Sequence, residues 1–376
     1  MKIIINTSTL SGTGVTQVSV SFLYECIEIS DNEYHVFLSK TVLNQIKITD
    51  FPKNFKFYIF KKHPLNLFYG FTIRNRLRTL SNKINPNCVF SIFGPSWWTP
   101  KYPHLIGYAY PHYVYPESPF FNIIPLYDRL LIFLKKIIHV FFLKRNGKYF
   151  VCETKDVTKR LHKLLKVNIN NIFTVSNTYN NYFTKINHFN TIKIPTINTN
   201  DFILLSLCSF EKHKNLIILN EVIPLLNKID INNNIKFILT IDKNLYEKNF
   251  HPIAKKSIIN LGRIDVKECP ELYEISDVVF LPTLLECFTA NYPEAMVMNK
   301  PILTSNLTFA KEICQEAAYY FDPINPVDIV NKILDIKNNH NLRINLISLG
   351  KSRLKNFNSA QERAMEYLTI LNNISK

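Results

Sequence analysis

"DVVFLPTLLECFTANYPEAMVMNKPILTS", residues 277–305, decides how this chain folds. Its first seven residues are an apolar, partly β-branched run closed by a proline and a threonine. Residues 290–298 then read as a helix, and "PILTS" is a second apolar run. Strand, helix, strand in that order describe a parallel βαβ unit. Parallel strands are covered by helices on both faces and so read as continuous apolar runs.

The same alternation extends outward. Strand-like runs lie at 201–209, 235–241 and 257–262, with helical segments at 214–226, 270–276 and about 309–315. "KIIIN" opens the chain as a strand, "TSTLSGTG" is a glycine-containing loop, and a helix follows at 15–29. The expectation is an α/β protein with two Rossmann-like, doubly wound domains. The polar stretch 177–200 is the natural linker. It separates a domain at 1–190 from one at 191–352, leaving 353–376 as a C-terminal helix packed back on the first.

Composition agrees. A chain of 376 residues suits two domains, and 47% hydrophobic content fills two cores and excludes general disorder. The net charge of +16 is uneven: residues 1–190 hold 24 Lys and Arg against 9 Asp and Glu, a net +15. That half is expected to face something anionic, whether phospholipid, a phosphorylated carrier or nucleic acid. Seven cysteines without a CxxC pair point to buried thiols in a reducing compartment, not to disulfides or a zinc site. The apolar start is too short for a signal peptide, and no apolar run reaches the roughly 20 residues of a membrane span. The expected location is cytoplasmic, peripheral on the inner face of the cytoplasmic membrane.

Glu286 falls just past the 277–283 strand, where an open α/β sheet binds its ligands. Glu294 falls within the following helix. Between them the backbone N–H groups of Phe288, Thr289 and Ala290 lead into a helix N-terminus, which suits a diphosphate. A nucleotide sugar needs this set: acceptors for sugar and ribose hydroxyls, and donors for the diphosphate. The alternative reading is a dipole-favoured glutamate and an exposed one. Lys214, after the 201–209 strand, can neutralise a departing diphosphate or can be one of a cluster of surface lysines. In "LYDRLLIFLKKIIHVFFLKRNGK", residues 126–148, Arg129, Lys135, Lys136, His139 and Lys144 fall on one side and Leu, Ile and Phe fill the rest. This reads first as a core helix with a solvated edge, and alternatively as a helix in an anionic membrane interface. Arg74, Arg76 and Arg78 form a second basic cluster.

"LGRIDVKECPELYEISDVVFLPTLLECFTANYPEAMVMNKPILTSNLTFAKEICQEAAYYFDPINPVDI", residues 261–329, resembles the donor half of glycosyltransferase family 4. Those are retaining enzymes of the GT-B fold, here of the bacterial polysaccharide and O-antigen type. The similarity runs in order through the "LY" helix, the Pro-Thr strand end, the Glu-x7-Glu pair, the "EAM" helix, the "PILTS" strand and the "YFDP" turn. It continues more weakly over the whole chain.

The resemblance implies two Rossmann-like domains facing across a cleft, with the acceptor on the first and a nucleotide-sugar donor on the second. The acceptor would be a glycan or a lipid-linked oligosaccharide. Glu286 would contact the donor sugar, Glu294 the ribose, and Phe288, Thr289 and Ala290 the phosphates, with Lys214 on the leaving diphosphate. The family arginine five residues before Lys214 is Ser209 here, so Lys212 or Arg263 would stand in. Cys287 and Thr289 replace the family's glycines, implying a narrower or shifted pocket. Gly12 and Gly14 match the N-terminal glycine loop. His112, beyond the carboxyl end of "HLIGYAY", fits the family histidine better than His104 before it. No Asp-x-Asp motif occurs, so no essential metal and no cofactor beyond the donor substrate are expected. Two other classes stay open: a sugar-nucleotide epimerase of similar architecture, and a non-catalytic nucleic-acid-binding protein using the basic half. No zinc-finger spacing or RNP signature supports the latter, so no nucleic acid partner is expected.

Overall fold

The apolar runs become short parallel strands, and the order in which they pair places the loops. The computed structural model describes residues 1–184, 197–230 and 234–376. The domain boundary expected at residue 190 lies outside the described residues. The chain divides into two units, and the first comprises Met1–Val114, Pro125–Asn177 and Asn358–Lys376. Its strands are β1 (Lys2–Asn6), β2 (Glu33–Ser39), β3 (Phe55–Phe60), β4 (Cys88–Ser91), β5 (His104–Gly107), β6 (Tyr149–Cys152) and β7 (Ile172–Thr174). They pair in the order β3-β2-β1-β4-β5-β6-β7, every pair parallel. Ile3, Ile4 and Ile5 are fully buried, as a central strand covered on both faces requires.

The second unit comprises Tyr115–Ile124 and Thr178–Phe357. Its strands are β8 (Phe202–Ser206), β9 (Ile235–Leu239), β10 (Ile258–Asn260), β11 (Val278–Leu281), β12 (Ile302–Ser305) and β13 (Ala318–Phe321). They run parallel in the order β10-β9-β8-β11-β12-β13. Both sheets are doubly wound. The winding reverses between β1 and β4 in the first and between β8 and β11 in the second.

The last helix, Ala360–Ser375, starts at a capping box. Glu362 N–H donates to Ser359 Oγ at 3.2 Å, and Ser359 N–H donates to the Glu362 carboxylate at 2.8 Å. Ala364, Tyr367, Leu368 and Leu371 enter the core of the first unit, with Tyr367 edge-on to Phe22. Arg363 is 2% exposed and donates to Asn177 Oδ1 and, at 2.8 Å, to Ser21 Oγ. Removing a buried guanidinium strands both acceptors. Arg363→Ala is therefore expected to destabilise the protein by about 3 kcal/mol. Denaturant unfolding measures this, and a loss within experimental error of zero would mean that other groups hold the helix.

The Leu126–Asn146 helix is not the core helix that its periodicity suggests. Only Leu143 and Asn146 are buried along its length. The side turned to the sheet is the one carrying His139, Leu143 and Asn146. Hydrogen bonds select it: Trp97 N–H donates to Asn146 Oδ1 at 3.0 Å, and Asn146 C=O bonds His104 Nδ1 at 2.8 Å. The aliphatic and phenyl side is left facing out. All seven cysteines are free thiols, and five are buried. Among the described residues no helix is long and apolar enough to cross a membrane.

Candidate active site

At a reversal of sheet winding, the loops leaving two neighbouring strands part in opposite directions and open a crevice. In the second unit those strands are β8 and β11. The loop after β8 ends in a one-turn 3₁₀ helix, Lys212–Lys214. The helix expected from residue 214 starts instead at Leu219, because Asn215 sits at φ 54° and breaks the backbone. Asparagine tolerates this left-handed conformation, and its side chain donates to Pro323 C=O at 2.9 Å. The loop after β11 is stitched to this turn, with Leu284 N–H donating to His213 C=O at 2.7 Å. Ser118 Oγ, from the Tyr115–Ile124 segment, donates to Leu284 C=O at 2.6 Å. Held this way, Lys214 and Glu286 form an ion pair, their side chains only 14% and 12% exposed.

Burial alone would lower the Lys214 pKa, but the Glu286 carboxylate, with Cys208 and Glu211, outweighs it and the net shift is upward. Lys214 is therefore a fixed cation. His213 beside it is pushed down to about 3, by burial and then by Lys214, and stays neutral.

The second carboxylate stands on the next helix, Asn291–Val297. Tyr273 OH donates to Glu294 Oε2 at 2.8 Å. Asn291 Nδ2 donates to Tyr273 OH at 3.3 Å and to Leu207 C=O, in the loop after β8, at 2.9 Å. Thr289 Oγ1 donates to Asn291 Oδ1 at 2.8 Å. This chain ties the helix start to both loops. Burial raises the Glu294 pKa to about 7, against the lowering effect of the tyrosine hydrogen bond. Among the described residues no acceptor meets the backbone N–H groups of Phe288, Thr289 and Ala290. The site thus gathers a cation, two carboxylates and a row of N–H donors at one crevice.

Residues 188–353 match the family model described as glycosyl transferases group 1. This segment is a group 1 glycosyl transferase domain. Solved structures agree over the whole chain. A glycosyltransferase from Rickettsia africae ESF-5 superposes with a TM-score of 0.74 at 17% identity, covering 100% of this chain and 98% of that one. Anabaena HepE, solved with UDP and glucose, gives 0.71 at 11% identity, covering 99% of both chains. A UDP-forming α,α-trehalose-phosphate synthase from Burkholderia vietnamiensis gives 0.71 at 9% identity, covering 100% of this chain and 97% of that one. The fold is GT-B. A comparison with curated protein sequences finds no match.

Within the glycosyl transferase domain, Lys214, Glu286, Phe288, Thr289, Ala290 and Glu294 come together. Cys287 and Thr289 both lie outside the left-handed backbone region, so their side chains add no strain there. Ser209 and Lys212 are exposed. Arg263 is exposed too, in the loop after β10, where Gly262 turns the chain at φ 77°. Gly12, Gly14 and His112 belong to the first unit. Gly12 precedes the Thr13–Glu25 helix at φ −83°, and a Cβ on Gly14 would meet nothing within 4 Å. Neither backbone conformation nor packing demands glycine at 12 or 14. His112 lies in the short helix Pro111–Val114 beyond β5. His104 opens β5, with both ring nitrogens engaged, by Ser91 Oγ and Asn146 C=O at 2.8 Å each, and burial pushes it down to about 4. It is a core histidine. Among the described residues no three His, Cys, Asp or Glu side chains are placed to share a metal ion.

Proposed function

We propose that this protein is a retaining glycosyltransferase of family 4 type. It would move a sugar from a nucleoside diphosphate to a glycan or lipid-linked oligosaccharide, in cell-surface polysaccharide synthesis at the cytoplasmic face of the membrane. The observation that carries the reading is the buried Lys214–Glu286 pair beside the N–H row of residues 288–290. As the bond from the anomeric carbon to the diphosphate breaks, negative charge gathers on the departing oxygen. Lys214 and the N–H groups meet that charge without reorganising, which is the larger part of what such a site supplies. Glu286 accepts from a sugar hydroxyl and steadies the positive charge growing on the ring. Ionised Glu294 accepts from the ribose hydroxyls. Gly12, Gly14 and His112 serve the acceptor-side unit, and Arg263 assists the diphosphate. Uridine is the first base to test, since HepE was solved with UDP and the trehalose-phosphate synthase forms it.

The test incubates the protein with UDP-sugars and a lipid-linked oligosaccharide acceptor. Transfer with the donor's anomeric configuration preserved is the expected result, read by proton NMR. Because Lys214 supplies the cation, the rate is expected to be unchanged by EDTA. Inverted product would overturn the retaining assignment, and a chelation-sensitive rate would overturn the metal-independent one. Isomerisation of the free donor without acceptor would instead mark an epimerase.

A further inference from the structure

The Leu126–Asn146 helix points its most apolar side away from its own unit. At 100° per residue, Leu126, Leu130, Phe133, Leu134, Ile137 and Phe141 fall within one stripe about 100° wide. All six are exposed, Leu126 to 79% and Phe133 to 57%. Cations rim the stripe: Arg129 and Lys136 border one edge, Arg145 the other, and Lys144 continues it at the helix end, while Lys135 lies nearly opposite. The loop after β3 adds Leu67 and Phe68, and the helix Gly70–Ile84 that follows adds Phe71, all exposed by 76% or more. Trp97 packs between that loop and the helix, its ring 6.4 Å from His63 and 5.2 Å from His139. The loop and the helix are therefore neighbours on one unit.

We propose that this face docks into the surface of an anionic lipid bilayer. The helix would lie in the interface plane with its phenyl and aliphatic side chains below the headgroups. Its rim cations would sit at the phosphates. An amphipathic helix of this kind binds through buried apolar area and charge together. The charge pattern selects lipid over a second copy of the chain. A two-fold pairing of this face would bring Arg129, Lys136, Lys144 and Arg145 of the two copies together, at a cost that anionic headgroups turn into a gain. The first 190 residues, at net +15, add attraction of the same sign. Arg74 and Arg76 contribute less than their sequence suggests, because each donates to a backbone carbonyl, Pro64 at 2.7 Å and Ile59 at 3.1 Å.

The helix has a second consequence. Its inward side carries His139, which bonds Tyr113 OH at 3.1 Å and packs edge-on against Tyr110 at 4.9 Å. Tyr110 and Tyr113 follow β5, and Trp97 follows β4. The element that would touch lipid thus also braces rings at the carboxyl edge of the first sheet. The docking itself does not rest on the donor chemistry, and its test needs no nucleotide.

The experiment is co-sedimentation of the full chain with vesicles of phosphatidylglycerol and phosphatidylcholine, or of phosphatidylcholine alone. Binding to the anionic vesicles at low salt, reduced at high salt, is expected. The double substitution Phe133→Ser, Ile137→Ser is expected to weaken it by about tenfold or more. Both positions are exposed, so the thermal midpoint should not move. Absence of wild-type binding would overturn the proposal. So would a double variant that binds as tightly as wild type, since charge alone would then suffice. A dimer in sedimentation velocity that the double substitution dissolves, without vesicle binding, would assign the face to a second copy.

Discussion

Lys214→Met is expected to lower sugar transfer by about 100- to 1000-fold. The ammonium is a buried, fixed cation that the crevice presents to a departing diphosphate, and its effect is greatest where charge accumulates. The same substitution leaves the Glu286 carboxylate buried without its partner, so stability should also fall, by about 3 kcal/mol. The two effects can be separated. In the double variant Lys214→Met, Glu286→Gln no charge is left unpaired, and most of the stability should return while activity does not. Unfolding and initial-rate measurements on the wild type and the two variants decide the matter. A double variant that regains transfer, or a single variant at the wild-type rate, would reduce Lys214 to a structural residue.

Glu294→Gln is expected to weaken nucleotide-sugar binding by about tenfold, because a charged acceptor becomes a neutral amide. The wild type should reveal the same group through pH. With a pKa near 7, Glu294 is neutral in acid and ionised above neutrality. Donor affinity should be flat above about pH 8, fall through about pH 7, and level off about tenfold weaker in acid, where protonated Glu294 resembles the Gln variant. A nucleotide sugar is the right ligand, since its diphosphate diester does not titrate there. Stability should move oppositely. Relative to an ordinary value of 4.5, the folded chain holds this proton more tightly. That contribution is complete below 4.5 and lost as pH rises through about 7. Tyr273→Phe removes the hydrogen bond that lowers the pKa and should shift both midpoints upward. A pH-independent affinity would detach Glu294 from the ribose.

The strand and helix alternation was legible because buried parallel strands have no polar face to confuse the pattern. Residues 201–209, 257–262 and 277–283 each overshoot strands that form within them. Glu286, Glu294 and Lys214 were legible through their place after strands. What holds them was not. Asn215, Asn291, Tyr273 and Ser118 act through hydrogen bonds that span 108, 84, 21 and 166 residues, and no local period marks such partners. The Leu126–Asn146 helix shows a different limit. Periodicity reports that a helix has two faces but not which one the fold buries. There Asn146, bonded to Trp97 and His104, settles the choice against the larger apolar face.

The central claim is that the crevice between β8 and β11 is a nucleotide-sugar donor site. Calorimetric titration of UDP-sugars into the wild-type protein and into Glu294→Gln, at pH 8, tests it most directly. One molecule bound per chain with a micromolar constant, weakened about tenfold by the substitution, is the predicted result. Failure of every nucleoside diphosphate sugar to bind, or binding that Glu294→Gln leaves unchanged, would contradict it.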